Sequence, residues 1–395
     1  MGKIELANRS NCTGCSACSD VCPKNCITFK AENALQRFPF INESICIECG
    51  LCAQTCPQLV PLEIKKDISP KCYAVWNNDN NDRLASTSGG FGASVATWAL
   101  KNEYYVCGAM FDNDWNLIHK ISNDSIEIKQ FRQSKYLQSS TEGIFKEVKR
   151  YLSAGEKILF IGTPCQVAGL LKVCSNKYKD SLITIDIICH GVNSPIVWKD
   201  YVLYLQQTHN SILTKYNFRD KSHGWEKKNG SPNLRVSMEF ENGLVINKKS
   251  IFNLFHYWFG QHYMLNETCF DCLYRNLNRI SDITIGDFWG IQNLIPSADI
   301  NKGVSAIIVN SQQGQNILDC CDVTSVEVDF NKASAYLRGL VERRSPEYRK
   351  NEIRKMKEFT DFYLKMPFKE VSKKYSSPTQ LSFFIERVKN LFHIK

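Results

Sequence analysis

Residues 12–23, CTGCSACSDVCP, and residues 46–57, CIECGLCAQTCP, carry the same pattern, C-x-x-C-x-x-C-x-x-x-C-P. This run is typical of proteins that bind two 4Fe-4S clusters, in which three closely spaced thiolates hold one cluster and the fourth binds the other. Internal duplication is the simplest origin of two equal runs. The stretch therefore predicts a small N-terminal module built around two iron-sulfur clusters with crossed ligands.

The eight cysteines of these two runs are the predicted metal ligands. The first cluster is expected to bind Cys12, Cys15, Cys18 and Cys56, and the second to bind Cys46, Cys49, Cys52 and Cys22. Zinc is the alternative, because paired C-x-x-C motifs also suit a tetrahedral zinc ion. Zinc needs only four thiolates, and two equal runs that each end in Cys-Pro favour clusters. Cys26 lies outside the pattern and is interpreted as a small core residue.

The composition limits the class of protein. A chain of 395 residues suits a small module followed by a larger body of about two subdomains. It contains 18 cysteines without a signal-peptide pattern in front of them, so we expect reduced thiols in a cytoplasmic protein. No run approaches the roughly 18 apolar residues that cross a bilayer. The net charge is +9, and residues 341–395 hold 14 Lys or Arg against 7 Asp or Glu, so the basic character is concentrated in a tail.

Beyond the two cysteine runs, short apolar strands alternate with helical patterns. A proline-punctuated stretch, residues 57–70, is interpreted as a linker. Strands are predicted at residues 72–76, 157–161, 183–188 and 283–285, a helix at residues 142–152 capped by Ser140 or Thr141, and an antiparallel hairpin around residues 234–240. The predicted fold class is an α+β ferredoxin-like double-cluster module, then an α/β body with a mixed sheet, then a helical C-terminal tail.

Residues 157–171, KILFIGTPCQVAGLL, predict a strand followed by an apolar helix. Thr163 occupies the N-cap position, and a proline follows at the first helical position. Cys165 therefore lies at a helix N-terminus. The free amide groups there favour an anion, so the turn could hold a phosphate or stabilise a ligating thiolate.

Three more cysteines join Cys165 as candidate ligands. Cys189 follows another predicted strand, and Cys269 with Cys272 forms a C-x-x-C just before the next strand. Because the ends of parallel strands meet at one edge of a sheet, these four thiols could gather there and hold a third 4Fe-4S cluster. Isolated cysteines are also often small buried hydrophobes, and the spacing leaves both interpretations open.

Residues 86–92, STSGGFG, place paired glycines in a turn before a helix. Backbone in such a turn can approach a planar cofactor or a phosphate closely. The spacing is neither that of the dinucleotide fingerprint nor that of the P-loop, so neither a Rossmann NAD site nor an NTPase is indicated. A plain glycine turn is the equal alternative.

Four stretches occur in order along the body: SKYLQS from residue 134, GTPCQVAGL from residue 162, CHGVNSP from residue 189 and DITIGDFWG from residue 282. Together they resemble the coenzyme F420 hydrogenase/dehydrogenase beta-subunit family, from about residue 72 to about residue 309. That family also shows a fused double-cluster module in front of the body. The resemblance implies an iron-sulfur oxidoreductase whose α/β body binds FAD. Its members act on different substrates, among them the deazaflavin coenzyme and a hydroxymethyl chlorophyll.

The resemblance also implies roles for single residues. It implies a flavin pocket formed by Ser88, Gly89, Gly90, Lys135, Thr163 and Gln166. It implies that the cluster nearest the flavin is held by Cys165, Cys189, Cys269 and Cys272. The implied domains are residues 1–64 as the two-cluster module, residues 65–155 and 156–340 as the N- and C-terminal parts of the family domain, and residues 341–395 as a basic helical tail.

Two residues are the catalytic candidates. Lys135 would place a cation beside the flavin and stabilise its anionic reduced ring, although a single lysine is more often a solvated surface charge. His190 could donate a proton during hydride transfer, or it could instead hydrogen-bond to backbone at the strand end. Asp287 could orient a loop or a cofactor hydroxyl, with a structural turn as the equal alternative. Trp289 is expected in the core.

The sequence favours a flavin-dependent oxidoreductase that exchanges electrons with ferredoxin or another redox protein and acts on an unidentified small molecule. The alternative is a non-catalytic electron-transfer subunit that docks through its basic tail. Nucleic-acid binding is disfavoured, because the tail carries no zinc finger, helix-turn-helix or RNA-binding motif. Residues 381–392 repeat apolar side chains at helical spacing, which favours packing on the protein core over a membrane surface. Assembly as a homo-oligomer stays open.

Overall fold

The cluster module forms the N-terminal end of the computed structural model, which describes residues 4–63, 66–226, 231–341 and 344–379. The module contains helices α1 (Ala17–Asp20) and α2 (Leu51–Thr55) and the antiparallel strands β1 (Ile27–Lys30) and β2 (Phe38–Ile41). Both helices begin inside a cysteine run. Gly14 and Gly50 have φ angles of 66° and 73°, which glycine adopts at low cost. Each run therefore turns tightly around its thiols.

Strands of the body follow along the described chain in this order: β3 (Lys71–Asn77), β4 (Tyr104–Phe111), β5 (Leu117–Ser122), β6 (Lys157–Gly162), β7 (Leu182–Ile187), β8 (Leu213–Asn217), β9 (Arg235–Phe240), β10 (Val245–Lys249), β11 (Ile283–Asp287), β12 (Ser305–Val309) and β13 (Val323–Val328). Eight of them form a mixed sheet in the order β13-β3-β12-β11-β7-β6-β4-β5. The strands β11, β7, β6 and β4 are parallel to one another, and the outer pairs are antiparallel. The remaining three strands form a separate antiparallel sheet, β10-β9-β8.

Helices of the body follow in this order: α3 (Asn80–Ala85), α4 (Phe91–Lys101), α5 (Ser125–Ile128), α6 (Ile144–Ser153), α7 (Pro164–Cys174), α8 (Pro195–His209), α9 (Leu254–Gly260), α10 (Gln312–Cys320), α11 (Phe330–Ser334), α12 (Arg338–Val341), α13 (Pro346–Tyr363) and α14 (Phe368–Lys374). No helix of the described ranges is both long enough and apolar enough to span a bilayer.

The parallel strands are buried because helices and the cluster module cover the sheet. Their sequences are nearly continuous apolar runs, as expected for strands covered on both faces. Val95 of α4 packs with strands β3, β7 and β12 in one core, while Phe145 of α6 and Val167 of α7 pack with β6 in another. Cys15 and Ala17 of the cluster module join that second core. The module is therefore packed directly on the body.

A third core is aromatic and lies between the three-stranded sheet and the C-terminal helices. Trp198 of α8 contacts both Tyr216 of β8 and Phe255 of α9 there. Trp258 of α9 meets Phe359 of α13 at a ring distance of 5.1 Å. Because α13 and α14 use their apolar faces in this core, the helical C-terminal region is a packed part of the fold up to residue 374.

The predicted mixed sheet and helical C-terminal region are confirmed. The cap predicted for the helix after residue 142 is wrong, since α6 begins after Gly143 and its first amide groups donate to Asp20 of the cluster module. The predicted hairpin near residue 234 is the pair β9 and β10. The predicted C-terminal apolar helix, residues 381–392, lies outside the described residues.

Candidate redox site

The first thiol set consists of three cysteines of the first run and the last cysteine of the second. Burial raises the pKa of the Cys12 thiol to about 12, and the neighbouring Cys15 and Cys56 thiols add to the rise. Burial also raises the pKa of Cys18, with further contributions from Cys15, Cys12 and Cys56. Cys56 is thus brought beside the first run, as crossed ligation requires.

The second thiol set surrounds a small apolar cavity. Its wall includes Cys22 together with Cys46, Cys49 and Cys52. The crossed member here is Cys22, which comes from the first run. Cys26 is buried beside it, with the two sulfur atoms 3.3 Å apart, so the predicted small core residue touches the second set. The two sets are neighbours, since Cys52 contributes to the raised pKa of Cys18.

The third thiol set gathers the four cysteines of the body. Burial raises the pKa of Cys165 well above its usual range, and Cys189, Cys272 and Cys269 raise it further. Cys165 stands at the start of α7, shortly after β6, and Cys189 stands two residues after the parallel strand β7. The strand ends therefore bring these cysteines together, as expected at this edge of a parallel sheet.

Two arginines place positive charge beside the third set. Burial raises the pKa of Cys189 to about 11, whereas Arg275 and Arg279 lower it in part. The same two guanidinium groups act on Cys272. Arg279 is itself buried and pairs with Asp186 at 2.9 Å. Four thiolates at this place would therefore meet cations that offset their charge.

Tyr274 lies beside thiols of both the third set and the first. Burial raises the pKa of its phenol, and the neighbouring thiols that raise it further are Cys165 and Cys272 of the third set and Cys15 and Cys56 of the first. The hydroxyl is shielded from solvent and has no hydrogen-bond partner among the described residues. A donor without a partner beside four thiols fits a site that gains sulfur acceptors when metal is bound.

A single zinc ion would need its sulfurs within about 4 Å of one another, because a Zn–S bond is about 2.3 Å long. Within the described ranges, no three His, Cys, Asp or Glu side chains are arranged to hold one metal ion.

A cavity of about 1280 Å³ opens on the same edge of the sheet. It exceeds the ~300–1,000 Å³ typical of small-molecule pockets. Five of the six predicted flavin-pocket residues are in its wall: Ser88, Gly90, Lys135, Thr163 and Gln166. Cys189 and His190 are in the wall as well, so the third thiol set adjoins the cavity.

Gly89, the sixth predicted residue, belongs to the glycine turn but does not line the cavity. A Cβ atom there would lie 2.2 Å from the Val75 carbonyl oxygen and 2.6 Å from the Ser305 amide nitrogen. Only glycine therefore allows the turn to sit against β3 and β12. Ser88 fixes the same turn by donating its hydroxyl to the Val304 carbonyl at 2.7 Å.

Thr163 and Gln166 form a capping box at the start of α7. The Gln166 side-chain oxygen accepts from the Thr163 amide and hydroxyl, each at 3.0 Å. The Gln166 side-chain nitrogen donates to the Ser139 carbonyl and hydroxyl at 3.1 and 2.9 Å. Both residues thus hold the helix start that carries Cys165.

Lys135 directs its ammonium group to a loop. It donates to the carbonyl oxygens of Gln130, Arg132 and Gln133 at 2.9, 2.7 and 3.4 Å. Burial lowers the pKa of this lysine to about 7. Its three donors are occupied by backbone, so the side chain shapes the wall of the cavity formed by this loop.

An arginine-centred group forms the far wall. Arg219 donates to the Asp287 carboxylate and to the Tyr136 hydroxyl, both at 2.8 Å, and its guanidinium lies 5.0 Å from the Trp289 ring centre. One of its terminal nitrogens is buried and has no partner among the described residues. Asp287 therefore orients a cation. Trp289 is half-buried at the cavity and stacked on Trp225, so its prediction as a core residue is wrong.

His190 begins a chain of polar contacts that leads away from the cavity. Its Nε2 lies 2.8 Å from Nε2 of His262, whose Nδ1 contacts the Glu352 carboxylate at 2.7 Å. Burial lowers the pKa of His190 to about 3, helped by His262 and Arg344. The imidazole is therefore neutral and held by its neighbour.

Sequence reasoning missed three residues of this site: Arg219, Tyr274 and His119. His119 lines the cavity, stacks on Phe160 and has a buried Nδ1 without a partner in the described chain. In strand β5, buried and exposed side chains largely alternate, and His119 is one of the buried ones. Its place in this pattern is that of an ordinary core residue. Arg219 and Tyr274 belong to no motif, and only the tertiary fold brings them to the site.

The fold and the thiol sets define an iron-sulfur redox protein. Residues 11–60 match the 4Fe-4S dicluster domain, and residues 155–332 match the family described as the C terminus of the coenzyme F420 hydrogenase/dehydrogenase beta subunit. The chain thus carries a region similar to the C-terminal part of that family behind a dicluster domain, and the resemblance found in its motifs is confirmed.

Among solved structures, a chain of the xenon-derivatised F420-reducing NiFe hydrogenase complex from Methanosarcina barkeri is similar. The match covers 74% of this chain and 90% of that chain, with 16% sequence identity and a TM-score of 0.41. No curated protein sequence matches the chain.

Proposed function

We propose that the protein is an iron-sulfur flavoprotein oxidoreductase that binds three 4Fe-4S clusters and FAD and acts on a small molecule. The observation that carries this proposal is the order of the three thiol sets. The second set adjoins the first through Cys18 and Cys52, and the first adjoins the third through Tyr274. Cys189 of the third set stands in the cavity wall. Redox centres in this order would connect the module surface with the cavity.

The cavity fits FAD by size and by its polar groups. Its volume, about 1280 Å³, leaves room for a second molecule beside a large cofactor. The free nitrogens of Arg219 and His119 offer a donor and a second polar contact for a ligand. When bound, FAD would supply two-electron exchange with a substrate and single-electron exchange with the clusters.

The residues of the chain have distinct proposed roles. Ser88, Gly89 and Gly90 would form the turn that lies against the cofactor, and Thr163 with Gln166 would fix the helix start at its edge. Lys135 would hold the loop of residues 130–135 in place. His190 would face the bound substrate from the third thiol set.

Anaerobic purification followed by iron, sulfide and flavin analysis tests the proposal. The expected content is about twelve irons and one FAD per chain. A Cys269→Ala variant should retain about eight irons, because the two N-terminal clusters do not use that thiol. Zinc in place of iron, or a full iron content without flavin, would contradict the proposal. A Cys320→Ala variant, which changes an exposed cysteine outside the three sets, should keep the full content.

The alternative is a non-catalytic electron-transfer subunit of a larger redox complex. The size of the cavity favours an enzyme, since a carrier needs no space beside its cofactor. Reduction of an artificial acceptor would occur with either function. Turnover of a small-molecule substrate by the isolated chain would distinguish the two, and its absence from every substrate trial with a fully loaded protein would favour the non-catalytic role.

A further inference from the structure

The surface around the second thiol set is unusually apolar. Ile45, Ile47 and Leu51 are exposed to 48, 55 and 42%. Ile47 and Leu51 line the same small cavity as Cys49, which is itself exposed. We call Ile45, Ile47, Cys49 and Leu51 the Cys49 face. Large apolar side chains grouped on a surface mark an interaction site.

The first thiol set, in contrast, faces the body. Gln138 donates to the Thr13 carbonyl at 2.6 Å, and Asn266 donates to the Cys12 carbonyl at 3.1 Å. Cys12 and Cys15 are buried. The second set is therefore the one that presents a thiol to solvent.

The chain segment that carries the Cys49 face has a negative net charge. Residues 38–63 contain Glu43, Glu48 and Glu63 and no Lys or Arg, although the chain as a whole carries +9. Lys24 lies in the wall of the small cavity and is the basic residue found there. A cluster with four thiolates would add further negative charge. Glu43 and Glu48 flank the face in the chain, so its apolar centre is accompanied there by two carboxylates and, in the cavity wall, by the single lysine.

We propose that the Cys49 face docks a small electron-carrier protein whose redox centre lies at its own surface, within an apolar patch ringed by Lys or Arg. This inference depends on the proposed function, because it assumes a cluster at the second thiol set. Apolar contact would bring the two centres together, and opposite charges would steer the encounter. One electron passes between the two centres per encounter, with no bond made or broken.

Cytochrome c is a suitable probe, because it is a basic haem protein with an exposed haem edge. The full-length protein, reduced with dithionite and freed of excess reductant, would be mixed with oxidised cytochrome c in a stopped-flow instrument. Surface plasmon resonance of the oxidised protein over immobilised cytochrome c gives a second readout that needs no turnover. Both the rate and the binding signal should fall as salt is added.

The variant Ile47→Lys should lower the bimolecular rate and the affinity by about tenfold, because it replaces an apolar contact with a repelling charge. The control is Leu203→Lys on α8, where the side chain is exposed to a similar extent, 52%. It should leave both quantities unchanged. Equal rates for Ile47→Lys and the unmodified protein, or an equal loss in Leu203→Lys, would overturn the inference.

Two further measurements separate the reasons for failure. Electron paramagnetic resonance of each reduced sample reports whether the clusters are present. An unmodified protein without cluster signals contradicts the proposed function itself, whereas full signals with equal rates contradict the docking face alone. Size-exclusion chromatography that shows a dimer dissociated by Ile47→Lys would mean that a second copy covers the face, and would overturn the inference as well.

Discussion

At the scale of single residues, the buried phenol between two thiol sets has a clear consequence. The Tyr274 hydroxyl lies among thiols of the first and third sets and lacks a partner within the described chain. A hydrogen bond to a cluster sulfur raises the reduction potential of that cluster. Tyr274→Phe should therefore lower the potential of one of these two clusters while iron content and fold are kept. Redox titration followed by electron paramagnetic resonance measures this shift.

The control for this prediction is Tyr204→Phe on α8, a helix that contributes no thiol. It should leave all potentials as they are. If Tyr274→Phe titrates like the unmodified protein, the hydroxyl does not bond to a cluster, and the phenol serves only as packing.

Two part-buried lysines predict how stability depends on pH. One is Lys135, and the other is Lys221, whose ammonium donates to the carbonyl oxygens of Arg83, Ser88 and Lys302 at 2.6, 2.8 and 2.9 Å. Burial lowers the pKa of Lys135 to about 7 and that of Lys221 to about 7. The unfolded chain keeps a lysine protonated up to about pH 10, so it binds more protons than the folded chain between about pH 7 and about pH 10. Stability should therefore rise with pH through this window.

The single variants Lys135→Met and Lys221→Met should each remove part of that rise, about 2–3 kcal/mol between about pH 6 and about pH 9. Denaturant unfolding at both pH values measures the difference, and the slope with pH separates it from the loss of the carbonyl contacts. Lys172→Met, in α7, is the control and should keep the slope. An unchanged slope in both variants would show that the two amines stay charged when folded.

At the scale of elements, helix α7 links the cofactor regions. Its first turn carries Cys165 and the capping box. On the next turn, a Cβ atom built on Gly169 would lie only 3.1 Å from the Cys15 sulfur. One turn of helix is about 5.4 Å long. The helix therefore sets the distance between the first and third thiol sets. The positions of both sets depend on where its N-terminus is held.

Gln166→Leu tests that requirement. The change removes the acceptor for Thr163 and the donor for Ser139, and it leaves buried polar groups unpaired. We expect a stability loss of about 2–3 kcal/mol. We also expect iron to fall from about twelve to about eight per chain, because Cys165 is displaced. Gln207→Leu, on the exposed side of α8, should do neither. Full iron content in Gln166→Leu would mean that the cap does not position the third set.

Sequence patterns predicted the parts of the site that depend on local order. The two cysteine runs, the Thr163 cap and the alternation of strand and helix are all visible within a dozen residues. Arg219 reaches the cavity from the turn after β8, and Tyr274 comes from a loop after a C-x-x-C. Such contacts join residues far apart in the chain, so spacing carries no signal for them. Predicting that the four body cysteines lie together required both the order of the strands and the resemblance to the family.

At the scale of the whole molecule, the cluster module and the body share a helix cap. The Asp20 carboxylate accepts from the amides of Gly143 and Phe145, each at 2.8 Å, and from that of Lys146 at 3.3 Å. Burial raises the pKa of Asp20, and these three donors offset part of the rise. A side chain of the module therefore caps α6 of the body. The same hydrogen bonds therefore hold the module on the body and cap the start of that helix.

Asp20→Ala should loosen this joint without removing a thiol. The amide groups at the start of α6 would lose their acceptor, which costs about 1–2 kcal/mol for an N-cap. Hydrogen exchange at residues 143–146 should speed up, and iron content should stay at about twelve. Because the first thiol set packs against the body through the same joint, electron transfer from the N-terminal clusters to the proposed flavin should slow. Asp124→Ala removes a cap inside the body, at α5, and should speed exchange only there. Unchanged protection at residues 143–146 in Asp20→Ala would mean that apolar packing alone holds the module.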